Sequence, residues 1–128
     1  MRPIQSAPWT VRFHEDFDKE FAGLPEAVQD ELLAHSMVLA QFGPTLGRPH
    51  VDTLKGSSHA NMKELRFDAE DGVWRVAFAF DSKREAILLV AGDKSGESEQ
   101  RFYRQLIRTA DKRFDGHLAQ WKRKKKGQ

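Results

Sequence analysis

Large apolar side chains alternate with polar ones in several short stretches of the chain. Residues 9–14 place Trp9, Val11 and Phe13 on one side, and a period of two is typical of a half-buried β-strand. Short polar links join three later stretches of this kind, so we expect three consecutive antiparallel strands. These three stretches are residues 62–67, 73–80 and 86–92.

Elsewhere the apolar residues follow the helical period of 3.6. A short helix is predicted over residues 15–23, and a second helix begins near Pro25 and ends before Gly43. The clearest stripe begins near Ser98 and continues to Trp121. The pattern therefore predicts two N-terminal helices and one long C-terminal helix.

Taken together, the elements have the predicted order β-α-α-β-β-β-α, with a long loop over residues 43–61. Helices beside a mainly antiparallel sheet give an α+β fold. A chain of 128 residues has the size of one domain. We assign residues 1–121 to that domain and expect residues 122–128 to form a basic, disordered tail.

Composition and charge narrow the classes of protein. Cysteine is absent, which excludes disulfides and thiolate sites. No apolar run approaches the roughly 20 residues of a membrane span, and the first residues do not resemble a signal peptide. We therefore expect a cytoplasmic protein without membrane contact. The net charge is +2, but residues 1–47 carry −4 and residues 122–128 carry +5, so overall basicity does little to indicate a nucleic-acid partner.

The two faces of the predicted sheet differ in side-chain size. Alternation along the neighbouring strands places Arg75, Arg66 and Glu64 together on one face, beside the small Ala77 and Ala79. We expect this face to be open, with the alanines forming a concave floor. The opposite face is bulky and should lie under the helices; it carries Trp74, Val76, Phe78, Phe80, Leu65 and Phe67.

Two guanidinium groups beside a shallow groove suit a phosphate, because each offers a rigid bidentate fork. Lys94 directly follows the last predicted strand and can reach the same groove. Tyr103 lies in the first turns of the last helix, where it can stack on a base or donate a proton. The structural alternative is that Glu64 pairs with an arginine across the strands, Lys94 is an ordinary turn lysine and Tyr103 packs in the core.

Other polar residues offer fewer clues. His50 and His59 lie in the long loop and can titrate near neutral pH, as a general base must, or they are simply solvated. The basic run at residues 122–126 can grip phosphates or only keep the chain in solution. No pair of histidines has the spacing of metal ligands, so we expect no metal.

Six short motifs follow one another along the chain. They are Leu24-Pro25-Glu26, Leu46-Gly47-Arg48-Pro49, Leu54-Lys55-Gly56, Lys63-Glu64-Leu65-Arg66-Phe67, Trp74-Arg75-Val76-Ala77-Phe78-Ala79-Phe80 and Ile87-Leu88-Leu89-Val90. In this order and spacing, over roughly residues 9–110, the chain resembles the HigB-like branch of the RelE/ParE toxin family of type II toxin–antitoxin systems.

The resemblance implies a small fold in which two N-terminal helices pack on a curved, mainly antiparallel sheet. It also implies neutralisation by a cognate antitoxin, which we expect to be a helix-turn-helix protein encoded by an adjacent gene. Many family members cut messenger RNA in the ribosomal A site without a metal or other cofactor. In that reaction the RNA 2′-hydroxyl attacks the adjacent phosphate, and lysines and arginines stabilise the added negative charge.

By position, the resemblance implies catalytic roles for Arg66, Arg75, Lys94 and Tyr103. Glu64 stands where the RelE branch has a lysine, so it either weakens the positive groove or supplies a base. The residues expected to contact RNA are Lys55, His50, His59, Lys63, Lys122, Arg123 and Lys124.

Two other functions are compatible with the sequence. The same fold occurs in ParE-like inhibitors that bind DNA gyrase without an enzymatic reaction, and arginine clusters do not exclude that function. Alternatively, the chain is a plain nucleic-acid-binding module whose basic tail makes the contacts, in which case removing residues 122–128 would abolish binding.

Overall fold

The computed structural model describes residues 2–126, with side chains described for residues 2–124. Six strands form one sheet and three α-helices pack around it. The strands are β1 (Pro3–Ser6), β2 (Thr10–Phe13), β3 (Val51–Thr53), β4 (Lys63–Ala69), β5 (Gly72–Phe80) and β6 (Glu85–Asp93). The helices are α1 (Glu15–Phe21), α2 (Glu26–Phe42) and α3 (Glu99–Lys126), with a short 3-10 turn at Gly43–Thr45.

The sheet has the strand order β1-β2-β6-β5-β4-β3. Strand β2 pairs in parallel with β6, and the other neighbouring pairs are antiparallel. The predicted α+β class, the paired N-terminal helices, the meander of β4, β5 and β6 and the long C-terminal helix are all confirmed.

Two strands were not predicted. Strand β1 contains a proline, and β3 has only three residues, which is too short for an alternating pattern to be recognised. Strand β3 lies within the loop predicted over residues 43–61 and pairs with β4. It extends the sheet beside the residues that were expected to bind phosphate.

The link between β4 and β5 is shorter than its polar sequence suggests. Only Glu70 and Asp71 lie between the strands, and both have positive φ, 51° and 57°. A two-residue hairpin turn of this kind matches the twist of the strands that it joins. The turn fixes the register that pairs Arg66 directly with Arg75.

One face of the sheet packs against α1 and α2, as predicted from its bulky side chains. Phe13 meets Phe17 of α1 edge to face, with ring centroids 5.2 Å apart. Leu65, Val76 and Phe78 are fully buried in this core. The aromatic and branched side chains therefore do on this face what the alternating pattern indicated.

The other face is not open, so that prediction was wrong. Helix α3 lies across it, and Ala77 and Ala79 are fully buried. Small side chains on a strand allow a helix to approach closely and fill the space with its own large residues. The two alanines therefore lie in the core beneath α3 and do not form a concave floor. The helix residues packed in this core are Phe102, Leu106, Ala110 and Phe114.

Helix α3 extends beyond the predicted domain. Its 28 residues correspond to a length of about 42 Å at a rise of roughly 1.5 Å per residue. The expected disordered tail over residues 122–128 is therefore helical as far as Lys126, and residues 127–128 lie outside the described part. Arg113 fastens the helix to the rest of the fold by donating to Glu20 at 2.6 Å and to the Leu89 carbonyl at 2.7 Å.

Along residues 2–126, every helix is either too short or too polar to cross a lipid bilayer.

Candidate functional site

A surface groove of about 580 Å³ lies where the first turns of α3 meet β3 and β4. It is lined on the sheet side by Asp52, Glu64 and Arg66, and on the helix side by Glu99 and Tyr103. The groove lies at the N-terminal end of α3, where the helix begins to cover the sheet. Its lining also includes Arg48, Thr53, Leu54 and Lys55.

A chain of hydrogen bonds runs under this groove from β5 through α3 to β4. Arg75 Nε donates to the Tyr103 hydroxyl at 3.3 Å, and that hydroxyl donates to Glu64 Oε1 at 2.8 Å. The Arg75 guanidinium also lies 3.6 Å from the same Glu64 oxygen. One tyrosine hydroxyl thus joins a cation and a carboxylate that come from different strands.

Both charged members of this chain are buried. Arg75 and Glu64 are each only 5% exposed, whereas Tyr103 is half-buried and lines the groove. Arg75 was predicted to project into an open hollow beside Arg66, and this is wrong. The two arginines are direct cross-strand neighbours, but Arg75 lies beneath Tyr103. Its guanidinium forms an ion pair with Glu64 and donates hydrogen bonds to the Tyr103 hydroxyl and, at 2.8 Å, to the Trp74 carbonyl.

Burial changes the proton affinities of the pair. It raises the pKa of Glu64, an effect that the Tyr103 hydrogen bond and the nearby Arg75 only partly oppose. Burial, together with donation to Glu64, also raises the pKa of Tyr103. Glu64 is consequently a stronger proton acceptor than a solvated carboxylate, and Tyr103 holds its proton until an acceptor takes it.

Arg66 occupies the more accessible side of the site. Its side chain is 30% exposed, and Nη1 lies 3.7 Å from Asp52 Oδ2. Arg48 donates to the same oxygen through Nη2 at 2.9 Å. Asp52 lies on β3 opposite Glu64, so the strand that the sequence did not predict supplies a carboxylate to the groove.

Lys94 follows β6 directly, as expected, and comes to the same site. Its Nζ lies 5.9 Å from the centre of the Tyr103 ring and donates to Glu99 Oε1 at 3.0 Å. That hydrogen bond lowers the pKa of Glu99. Arg66, Lys94 and Arg75 therefore each face a carboxylate in this structure.

The structure separates the residues that were expected to contact RNA. Lys55 lines the groove. The His50 ring packs on His35 of α2, with centroids 5.6 Å apart, and Lys63 pairs with Phe78 on that same α2 face. His50 and Lys63 consequently lie on the side of the sheet opposite the groove.

His59 does not line the groove either. Its Nε2 lies 2.7 Å from Asp115 Oδ1, and its ring packs edge-on against Phe114 in the middle of α3. The basic residues Lys122, Arg123 and Lys124 are exposed on the last turns of α3, more than ten residues beyond Tyr103. Only Lys55 of the expected RNA contacts therefore joins the groove.

Three residues of the groove were not singled out from the sequence as functional. Arg48 belongs to the motif Leu46-Gly47-Arg48-Pro49, Asp52 lies in the unpredicted strand β3, and Glu99 is the first residue of α3. Arg48 and Asp52 are four residues apart, but that spacing predicts an ion pair only within a helix, and here it joins a turn to strand β3. Nothing in the pattern indicated that they would meet Arg66.

Among the described residues, no three His, Cys, Asp or Glu side chains come together as a set of metal ligands. What the groove does bring together is a phenol, a buried carboxylate of raised pKa, and lysine and arginine side chains at the surface. That combination is suited to moving a proton beside an anion.

Comparison with known proteins places the chain in a family. Residues 19–115 match the family described as "Phage derived protein Gp49-like (DUF891)". A protein of Mycobacterium tuberculosis named "Putative toxin HigB2" is 42% identical over 117 residues, which cover 91% of this chain and 57% of that protein. A second from the same organism, "Putative toxin HigB3", is 49% identical over 82 residues, covering 64% of this chain and 69% of that protein.

The chain thus spans little more than half the length of the first of these relatives. Among solved structures, a double-arginine mutant of the E. coli toxin RelE in the free state aligns with 76% of this chain and 90% of its own, at 14% identity and a TM-score of 0.48. The family match covers most of the chain, and the HigB3 match covers more than two thirds of that relative. The chain therefore belongs to the Gp49/HigB-like toxin family.

Proposed function

We propose that this chain is the toxin of a type II toxin–antitoxin system, that it cuts messenger RNA on the ribosome, and that a cognate antitoxin neutralises it. Membership of the Gp49/HigB-like family and the names of the two mycobacterial relatives support the toxin assignment. The nuclease assignment depends on the site itself. It needs no metal, because the proposed chemistry uses side chains alone.

The observation that carries the proposal is the position of the Tyr103 hydroxyl. It lies at the groove, 2.8 Å from Glu64 Oε1 and 3.3 Å from Arg75 Nε. A hydroxyl in this position can accept a proton from an RNA 2′-hydroxyl while it passes its own proton to Glu64. Glu64 thereby acts as the base, which is one of the two roles that the sequence left open.

In the proposed reaction the 2′-oxygen forms a bond to phosphorus and the bond from phosphorus to the 5′-oxygen breaks. The products are a 2′,3′-cyclic phosphate and a free 5′-hydroxyl. The 2′-proton ends on Glu64 by way of Tyr103, and the Lys94 ammonium supplies a proton to the departing 5′-oxygen. Exchange with water then returns both side chains to their starting states.

Charge on the phosphate increases during attack, and Arg66 and Lys94 are the groups placed to stabilise it. Both are held by carboxylates in this structure, Arg66 by Asp52 and Lys94 by Glu99. A bound phosphate would take over those contacts. Arg75 is a positioning residue in this scheme, because its buried guanidinium orients Tyr103 and Glu64 and does not reach the substrate.

Contacts with the rest of the RNA are proposed for Lys55 at the groove and for Lys122, Arg123 and Lys124 at the end of α3. The exposed end of the helix is a separate positive surface, and lysines and arginines of this kind bind the nucleic-acid backbone without reading its sequence. His50, His59 and Lys63 have no part in this scheme because they lie away from the groove.

Mapping transcript 5′ ends after induced expression tests the proposal. Wild-type chain should produce new ends with free 5′-hydroxyl groups inside translated regions and arrest translation. Arg75→Ala should lower the cleavage rate, because Tyr103 and Glu64 lose the buried guanidinium that orients them. Intact transcripts together with DNA damage and stalled replication would instead identify a gyrase inhibitor and overturn the nuclease assignment.

A further inference from the structure

Two arginines converge on one carboxylate oxygen at the edge of the groove. Arg48 donates to Asp52 Oδ2 through Nε at 3.1 Å and through Nη2 at 2.9 Å. Arg66 approaches the same oxygen to 3.7 Å through Nη1. One anionic oxygen is thus shared by guanidinium groups from the turn before β3 and from β4.

Asp52 is held in place for this role. Its other oxygen, Oδ1, accepts the Thr53 backbone N–H at 2.9 Å, so only Oδ2 faces the arginines. That backbone hydrogen bond, with the hydrogen bonds from Arg48, lowers the pKa of Asp52. The carboxylate is therefore ionised at neutral pH, and its charge opposes the approach of any other anion.

A phosphate oxygen, like this carboxylate oxygen, carries negative charge and accepts hydrogen bonds from guanidinium groups. Guanidinium groups bind either anion through parallel N–H donors, and two guanidiniums suit the two non-bridging oxygens of a phosphodiester. The Arg48 side chain is 76% exposed, so its fork is within reach of a ligand in the groove.

We propose that Arg48 and Arg66 form a second phosphate subsite, which takes the phosphodiester next to the one that is cut, and that Arg66, with its five N–H donors, bridges the two phosphates. Asp52 holds the two guanidiniums together when the site is empty, and the RNA phosphate displaces it on binding. This inference rests on the proposed function for the identity of the ligand, a single-stranded RNA backbone. It assigns Arg48 a binding role and Asp52 the role of an internal competitor.

A purely structural role makes different predictions. If Arg48 and Asp52 only brace the turn that leads into β3, then replacing either residue lowers stability, and neither replacement changes RNA affinity selectively. In the subsite, the two replacements have opposite effects on binding. Losing Arg48 removes a contact with phosphate, whereas neutralising Asp52 removes the competitor.

The test measures binding of a fluorescent single-stranded RNA by anisotropy over a series of salt concentrations. The RNA carries 2′-O-methyl groups, which prevent cleavage. Arg48→Ala should weaken binding about tenfold, and should lower the slope of log affinity against log salt by about 0.7, the value for one phosphate contact on a single strand. Asp52→Asn should tighten binding severalfold.

The matched control is Arg108→Ala, which removes an exposed arginine from the part of α3 near α1. Thermal melts of each variant verify that it is folded. The subsite is refuted if Arg48→Ala behaves like the control, if Asp52→Asn weakens binding, or if the wild-type chain does not bind this RNA.

The parallel measurement is transcript cleavage by the wild-type chain and by Arg75→Ala. If wild-type chain cleaves, Arg75→Ala does not, and Arg48→Ala has no effect on RNA binding, then the subsite is refuted and the proposed function is retained. Opposite effects of Arg48→Ala and Asp52→Asn on binding, without any cleavage by the wild type, would keep the subsite and remove the nuclease.

Discussion

The two faces of the sheet are both buried, but they are built differently. The α1/α2 face fills its core with aromatic and branched side chains from the strands, such as Phe13 and Phe78. On the α3 face the strands contribute alanines, and the helix brings the large residues. Among the residues whose side chains the structure describes, the two buried charged residues, Arg75 and Glu64, lie on the α3 face, where the helix begins. Because α3 begins over β4 and β5, one of its side chains, Tyr103, forms hydrogen bonds with residues from both strands.

The largest expected effect belongs to the charged end of the α3 face. Glu64→Gln keeps an acceptor for the Tyr103 hydroxyl but removes the base, so the cleavage rate should fall by about 10²–10⁴-fold. Rates should be divided by the folded fraction from circular dichroism, because Arg75 loses its buried counter-ion in this variant.

The control for that variant lies on the opposite face. His50→Ala removes a ring that packs on His35 of α2, so it should leave the cleavage rate unchanged. Loss of cleavage in His50→Ala, or full activity in Glu64→Gln, would show that the chemistry is not confined to the α3 face.

The attachment of α3 should be sensitive to loss of its large side chains. Phe114→Ala removes a nearly buried ring from the α3 core and should lower the free energy of unfolding by about 3–5 kcal/mol. Denaturant titration measures this, and hydrogen exchange should quicken in α3 and not in α2. Equal acceleration in both helices would mean that the two cores do not loosen independently.

A smaller effect tests whether the alanine face is covered. Ala79→Leu adds bulk beneath α3, where Ala79 is fully buried, and should cost about 1–3 kcal/mol of stability through overpacking. Ala34→Leu, at an exposed position of α2, should stay within about 0.5 kcal/mol. Equal stability of the two variants would indicate that the sheet face with Ala79 is open to solvent, as the sequence predicted, and is not covered by α3.

The pH dependence of cleavage gives the most modest change. Burial raises the pKa of Glu64, and only its ionised form accepts a proton. The rate should therefore decline, as pH is lowered through this raised pKa, at a higher pH than an ordinary carboxyl group would give. The lowered pKa values of Asp52 and Glu99 keep these groups ionised in that range. A pH–rate profile that is flat down to the usual carboxyl range would exclude Glu64 as the base.

Much of the fold followed from periodicity, because long strands and helices repeat their patterns enough times to be recognised. The same alternation correctly put Arg66 and Arg75 on one face of paired strands, and the helical period correctly put Tyr103 in the first turns of the last helix. Alternation separates the two faces of a strand, but it does not say what covers the face with small side chains. For that reason the sequence predicted an open groove over Ala77 and Ala79, where the structure has α3.

The details of the site depended on features with little sequence signal. Strand β3 is too short to show a period, yet it brings Asp52 to Arg66. The burial of Arg75 depends on where α3 crosses the sheet, which is set by packing between distant parts of the chain. The contact between Lys94 and Glu99 likewise depends on the turn that joins β6 to α3.

The central claim is that the Tyr103 hydroxyl carries a proton between RNA and Glu64, and the single-turnover cleavage rate of Tyr103→Phe tests it most directly. This variant keeps the ring and removes only the hydroxyl, at a cost of about 1–3 kcal/mol in stability. We predict folded protein that still binds RNA and cleaves it about 10²–10⁴-fold more slowly. Cleavage at the wild-type rate by folded Tyr103→Phe would contradict the account.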